Sequence, residues 1–513
     1  MKFFKIKTVG KSLSLYLIFL LTFGCSDFLD EFDPSNLTND TFYLTESHAE
    51  GAIAAVYSDT RFIGGGAGIF SVNWQMLEAV TGQSTTQTGQ NSDLNNLYGL
   101  AYDSNTGHIR NWFTGIYKLI ANANLVIQNV PEISMSESQK SKIVAEALFL
   151  RAWAYFYAVR IWGDVPLITL PQTSASEDFE PVRTPQADVY NQIVNDLKTA
   201  EASGLPWTDP SGRVSTSAVK SLLAKVYLTM AGHPLNQTEH YANAASKAKE
   251  VIDTGGGIDL FDTYEDIRNP NKENQVEHIF SLQYNGSDAG NPMVDMLPNF
   301  QPVTVLGNSG TGSTVPEISF YNSFEDDDLR KKDRVGWFYT SYYLNGSGSI
   351  FDLGAPFIFK HFNRESYGTE GVTGTNQNNL DLPIIRFAEV LLIYAEATNE
   401  TSGPSQDALE AFKRIRDRAQ LTSPNLSELS TDSFRELIWK ERSHELCYEF
   451  KTWFDMVRLR KVLNNETGGF ENFVGHINLN SNQSLQEKHL LFPLPEQEIL
   501  NNPNLTPQNP GYN

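Results

Sequence analysis

Five segments in the first half of the chain, 115–130, 138–161, 186–202, 216–231 and 239–252, carry apolar residues at spacings of three and four and are rich in Ala and Leu. That spacing gathers the apolar side chains on one face of a helix, and each such face must be hidden against another element. A run of amphipathic helices therefore constrains the chain to a mostly α, layered body. Two of the segments share a Leu-x-Ala-x-x-Tyr pattern, Leu150-Ala152-Tyr155 and Leu222-Ala224-Tyr227, set 72 residues apart. The separation is about twice the 34-residue period of tetratricopeptide helix pairs. A small Ala lets a paired helix approach while the Tyr fills the gap beside it, and ordinary helix packing gives the same pattern.

From 255 to 380 the texture changes to Gly, Asn, Ser, Pro and aromatic residues with short apolar bursts such as 278–284. This reads as a loop-rich insert with short strands, too aromatic for a disordered linker. Helices are expected again over 383–400, 405–419 and 433–461, the last with Leu446, Phe450, Trp453, Phe454 and Val457 on one stripe. The tail, 492–513, is rich in Pro and Asn and reads as an extended surface segment. The expected divisions are a leader over 1–24, a tether over 25–47, a helical region over 48–254, and a C-terminal region over 255–513 that contains the insert 255–380.

The leader places Lys2, Lys5, Lys7 and Lys11 before an apolar run from 13 to 23 and then Gly24-Cys25. The run is shorter than the roughly 20 apolar residues a membrane span needs, so it reads as an export signal ending at an acylated cysteine. Thr22 and Phe23 depart from the usual residues of such a cleavage box. Removing 1–24 takes four of the 39 basic residues and none of the 61 acidic ones, so the net charge moves from -22 to about -26. Such a charge disfavours nucleic acid and anionic membrane surfaces and leaves neutral ligands compatible. Each buried CH₂ of a lipid contributes about 0.8 kcal/mol, so the lipid alone is the expected membrane attachment. Cys447 is the only other cysteine, and with Cys25 acylated no intramolecular disulfide forms.

Catalytic spacings are missing. The chain has no Gly-x-Ser-x-Gly elbow, no P-loop, and no Gly-x-Gly-x-x-Gly in the cluster 64–68. His444-Glu445 is followed by Tyr448 where a zincin has its second His. The acidic run 325–328 lacks the ligand spacing of an EF-hand and reads as a solvated turn beside the basic stretch 330–332. Carboxylate pairs suited to glycoside hydrolysis are not legible in a sequence, because their separation in space decides the chemistry.

Several segments together resemble the SusD/RagB family of outer-membrane nutrient-binding lipoproteins. They are CSDFLDE at 25–31, EALFLRAWAYFYAVRIWGDVPLI at 146–168, RFAEVLLIYAEA at 386–397, ERSHELCYEFKTWFDMVR at 441–458 and FPLPEQEILNNPNLTPQNPGY at 492–512. Phe450 stands where the family usually has Gly, and Lys451-Thr452 replaces the common residue-Arg pair. Arg386, Glu389, Arg442, Glu445 and Asp455 fall on apolar helices, where charges survive only when paired, so an architectural role is expected. The resemblance implies a tetratricopeptide-like scaffold and a lipid-anchored, surface-exposed protein of the cell outer membrane. It further implies non-catalytic capture of an oligosaccharide and its delivery to a TonB-dependent outer-membrane transporter of the SusC type, with no cofactor; no residues are singled out as metal ligands. A peptide-capturing member of the family would look the same, and a surface glycoside hydrolase is the catalytic alternative.

Aromatic residues supply the remaining chemical signal, because neutral glycans present C–H faces that stack on exposed rings beside hydrogen-bonding side chains. Two places fit: Asn73-Trp74 after the Gly-rich loop, and Trp337, Phe338, Tyr339, Tyr342 and Tyr343 before a turn at Asn345-Gly346. Strand alternation places Trp337, Tyr339 and Tyr343 on one face and Phe338 and Tyr342 on the other. Asn73, Trp74, Trp337, Tyr339, Tyr342 and Tyr343 are the ligand-binding candidates.

Overall fold

The computed structural model describes residues 42–512 apart from 69–70, 88, 90, 173–178, 286–288, 294–310, 344–349 and 362–378. The leader, Cys25 and the turn at Asn345-Gly346 lie outside the described residues. Helix α1 spans Glu46–Asp59, followed by the short α2 at Gln75–Ala79 and α3 at Ser92–Tyr98. The long helices follow: α4 at Gly107–Asn129, α5 at Glu137–Trp162, α6 at Gln186–Glu201, α7 at Thr216–Ala231 and α8 at His240–Thr254. After the short α9 at Ile318–Asn322 come α10 at Phe387–Ser402, α11 at Gln406–Arg418, α12 at Thr431–Glu445, α13 at Thr452–Leu459 and α14 at Glu496–Asn501. Serine side chains open several of them. Ser136, Ser215 and Ser405 each accept the amide N–H three residues on, satisfying a donor that has no partner within the helix.

Consecutive helices from α4 to α8 pack on one another, and α1 lies against α4 and α5. From Ala145 to its end α5 is buried on all sides and stops at Gly163, whose φ of 74° suits glycine. The two Leu-x-Ala-x-x-Tyr patterns fall on α5 and α7, with all six residues buried. One helix, α6, lies between them, so 72 residues make one step from helix pair to helix pair, not two. The 26 residues of α5 and the connection from 163 to 185 lengthen that step. Within the connection Tyr155 pins the strap, donating to the Ile168 carbonyl at 2.9 Å and accepting its N–H at 2.7 Å.

Helix α10 packs directly on α8, although 132 residues separate their facing ends, and it also carries α11 and α12. The helical array thus runs on across the boundary at 254/255, and the insert is a loop-out from it. The insert supplies four of the ten strands among the described residues, and strands pair in antiparallel twos: β1 (Ser84–Thr85) with β3 (Val315–Pro316), β2 (His278–Leu282) with β6 (Leu382–Arg386), and β4 (Phe338–Tyr343) with β5 (Ile350–Ile358). Near the C-terminus β7 (Lys461–Leu463) pairs with β8 (Phe470–Asn472), and β9 (Ile477–Asn478) with β10 (Gln483–Ser484). Residues 383–386, expected as the start of a helix, are strand β6 instead.

The segment 433–461 is not one helix. The chain breaks between α12 and α13, where Tyr448 and Phe450 each take a φ of 59°. This left-handed backbone explains why the family favours Gly at position 450. The break frees carbonyls from helical bonding, and side chains from the insert take them: Trp337 Nε1 donates to His444 O at 3.1 Å, and Lys360 Nζ to Glu445 O at 2.7 Å and Cys447 O at 3.0 Å. The insert is fastened to the helical body by capping the end of α12.

Candidate functional site

Beneath the insert lies a network of buried charges. Arg386 meets Glu277, Glu445 at 3.1 Å and Glu449 at 2.5 Å. Arg330 meets Asp328 at 2.8 Å, Glu441 at 2.6 Å and Glu445 at 3.2 Å, and Arg418 joins Glu277 and Glu445. A second set links Arg442 to Asp455 at 3.1 Å, Arg458 to Glu396 at 2.6 Å, and Glu389 to Lys225 and Lys451 at 2.9 Å each. Burial raises the Glu389 carboxyl, but Lys225, Lys451 and Arg442 outweigh it and hold the group at about 2. Burial likewise opposes ionisation of Glu449, and Arg386, Lys360 and Lys451 bring it well below the usual carboxylate range. Arg386, Glu389, Arg442, Glu445 and Asp455 are therefore paired, as their apolar settings required, although Arg386 ends strand β6 and is not on a helix.

The network also corrects the reading of 325–328 as a solvated turn. Glu325, Asp326 and Asp327 are exposed, whereas Asp328 and Arg330 are buried against each other. Among the described residues no catalytic constellation surrounds His444 or Cys447. Burial holds the His444 imidazole well below its ordinary value, and the ring stacks on Phe324 at 4.1 Å. Burial pushes the Cys447 thiol up to about 12, so it is not a nucleophile near neutral pH.

Most of the expected ring platforms are core. Trp337 is fully buried: Lys360 Nζ sits 4.0 Å from its ring centroid, Tyr264 packs edge-on at 4.6 Å, and its indole N–H caps α12. Tyr339 is covered by Phe357 and Phe359. Alternation leaves no exposed face there, since Trp337, Phe338 and Tyr339 are all buried; the base of β4 is enclosed on both faces. Trp74 is 2% exposed and packs against Phe450 at 5.6 Å. Asn73 is buried, donating to Phe62 O at 2.6 Å and accepting from Asn111 at 3.0 Å, so its amide holds the Gly-rich loop rather than facing solvent.

The structure does bring the two places together. Gln75, next to Trp74, donates to Ser313 at 2.9 Å and Thr314 at 2.8 Å, which lead into β3, and β3 packs beside β5. From this junction the β4–β5 hairpin projects. Its base, Pro356–Ile358 with Phe338, is buried, while Ile350, Phe351, Asp352, Gly354 and Ala355 are exposed. Along the outer part Tyr342 pairs with Phe351 and Tyr343 with Ile350. The register shift between Tyr339 and Ser341 is held by Asp333, which accepts the N–H of Thr340 at 2.7 Å and of Ser341 at 3.1 Å. Beside the hairpin, Thr85 and Thr86 are half-buried and Gln87 is exposed. The exposed Phe351 ring and Ile350, with hydroxyl and amide side chains on the neighbouring segment, form the surface on this part of the insert that suits a neutral polyhydroxy ligand. Phe351 and Ile350 were not singled out in the sequence; their cross-strand partners Tyr342 and Tyr343 were the signal that leads to them.

Comparison with known proteins covers nearly the whole chain. A family model described as "SusD family" matches residues 336–512, and one described as "Starch-binding associating with outer membrane" matches residues 27–228. SusD-like protein P2 of Formosa agariphila is 31% identical over 97% of this chain and 99% of its own length. Starch-binding protein SusD of Bacteroides thetaiotaomicron is 24% identical, with 87% of this chain and 86% of that protein covered. The crystal structure of a SusD superfamily protein from Parabacteroides distasonis superposes with a TM-score of 0.85 at 33% identity, over 93% of this chain and 100% of that one. With its helical array, its looped-out insert and its paired signature charges, the chain belongs to the SusD family.

Proposed function

We propose that this protein captures oligosaccharides at the cell surface without converting them and delivers them to a TonB-dependent outer-membrane transporter, tethered by lipid on Cys25. The carrying observation is the β4–β5 hairpin, whose outer half leaves the body with Tyr342 and Tyr343 opposite Phe351 and Ile350. Ring faces there gain stacking on sugar C–H groups, and the neighbouring Thr and Gln side chains supply hydroxyl partners. The names of family relatives support the reading: the Bacteroides thetaiotaomicron protein is called starch-binding, and a family model is described as starch-binding and associating with the outer membrane. Among the described residues no helix is long and apolar enough to cross a membrane, so attachment through Cys25 is the economical arrangement. The strong negative charge directs the choice of ligand toward neutral glycans at this surface.

Calorimetric titration of the mature protein against a panel of soluble polysaccharides and peptides tests the capture. A polysaccharide is expected to bind, Phe351→Ala to weaken it with the melting temperature retained, and Tyr342→Ala and Tyr343→Ala to weaken it as well. Binding of peptides alone would overturn the glycan assignment. Purification from detergent-solubilised outer membrane is expected to bring down a β-barrel partner; recovery of the protein alone would count against the transporter step.

A further inference from the structure

A second cavity, of about 240 Å³, lies among α5, α7, α13 and the closing segment of the chain, and shares no residue with the hairpin. Its charged lining is Arg160, Arg458, Arg460, Lys488 and Glu487. In a protein of net charge -22 this is a local reversal of sign. Arg160 is the informative member. It is 9% exposed, its guanidinium carbon lies 3.7 Å from the ring centroids of both Phe156 and Phe454, and its Nε donates to Phe156 O at 2.7 Å. Burial lowers its pKa only to about 10, so it stays charged at neutral pH.

No carboxylate pairs with Arg160 among the described residues. The acids that act on it from further away are Glu389 and Asp455. Both are already engaged, Glu389 by Lys225 and Lys451 at 2.9 Å, and Asp455 by Arg442 at 3.1 Å and Arg458 at 2.7 Å. Arg460, held in a left-handed conformation just after α13, has a buried Nη1 without a hydrogen-bond partner and is in no ion pair among the described residues. A buried charge without a counter-charge is costly, and Arg160 is in this state; Arg460 is half-buried with Glu487 as the acid acting on it, and the two arginines on one cavity favour an anion from solution. The remaining walls combine apolar surface from Tyr190, Phe454, Leu490 and Leu491 with the polar side chains of Gln186, Thr229 and Asn509. The cavity volume is several times the roughly 30 Å³ share of one water molecule, leaving room for a skeleton beyond the anionic group.

We propose that this cavity binds a small carboxylate with an apolar face, a sugar acid, with Arg160 and Arg460 taking the carboxylate and the Phe454 and Tyr190 rings taking the C–H face. The site stands whether or not the hairpin takes glycans. The test is calorimetric titration of the mature full-length protein with glucuronate, with glucose and sulfate as separate arms. Glucuronate is expected to bind saturably and raise the melting temperature, while glucose gives no heat and sulfate binds more weakly. Arg160→Gln is expected to abolish the glucuronate signal. Arg460→Asn tolerates the left-handed backbone, and it should lower glucuronate affinity by about tenfold or more while the melting temperature of the free protein holds. The proposal is overturned by absence of saturable glucuronate binding, by equal binding of glucose, by binding of sulfate in preference to glucuronate, or by an unchanged affinity in Arg460→Asn.

Discussion

Phe450 shows how one residue can oppose its backbone and still be retained. A non-glycine residue in the left-handed region costs about 1–2 kcal/mol. Its ring is 1% exposed and packs on Trp74, and losing a buried Phe side chain costs about 3–5 kcal/mol. Packing wins, so Phe450→Gly is expected to lower stability by roughly 1–4 kcal/mol in urea unfolding, despite restoring the family residue. Glu78 sits in the same neighbourhood. Its Oε1 accepts the Phe450 N–H at 2.7 Å, its Oε2 is buried without a partner, and burial raises its carboxyl from 4.5 to about 7. The folded chain therefore holds a proton there that the unfolded chain has released, so this contribution to stability falls as pH rises from 4.5 to about 7 and is level above. The swing is on the order of 3 kcal/mol. Glu78→Gln keeps the acceptor without the charge, so its melting temperature should exceed that of the parent at pH 8 and approach it at pH 5. An equal gap at both pH values would show that Glu78 does not titrate in that window.

At the scale of elements the β4–β5 hairpin divides into an anchoring half and a presenting half. Trp337, next to its base, caps α12 and covers Lys360, so Trp337→Ala should cost about 3–5 kcal/mol, read as a lowered denaturant midpoint. Phe351, 39% exposed on the outer half, packs too little for its removal to matter, so Phe351→Ala should leave the midpoint within about 0.5 kcal/mol. If the two variants lost stability equally, the division of the hairpin would be wrong. The sequence showed the aromatic cluster, but not which rings were enclosed. That depended on the carbonyls left open at the end of α12, more than 100 residues away in the chain.

Over the whole molecule the helical array is one structure interrupted by a loop-out. The face of α8 is covered by α10, and Tyr157 of α5 packs on Phe454 of α13 at 5.7 Å. A fragment of residues 42–260 would leave those faces wet, so it is expected to melt without cooperativity and to bind a hydrophobic dye; a sharp, cooperative transition would refute this. The helical stretches were legible in the sequence because the period of apolar residues is a local property. The pattern placed α6 and α7 within a residue of their ends, and apolar settings for Arg386, Glu389, Arg442, Glu445 and Asp455 already required that they be paired. The pairing of each charge, the break at Tyr448 and Phe450, the burial of Trp74 and Trp337, and the unpaired Arg160 were decided only in three dimensions. Each depends on contacts between residues distant in sequence, and no local pattern records which distant group fills a given space.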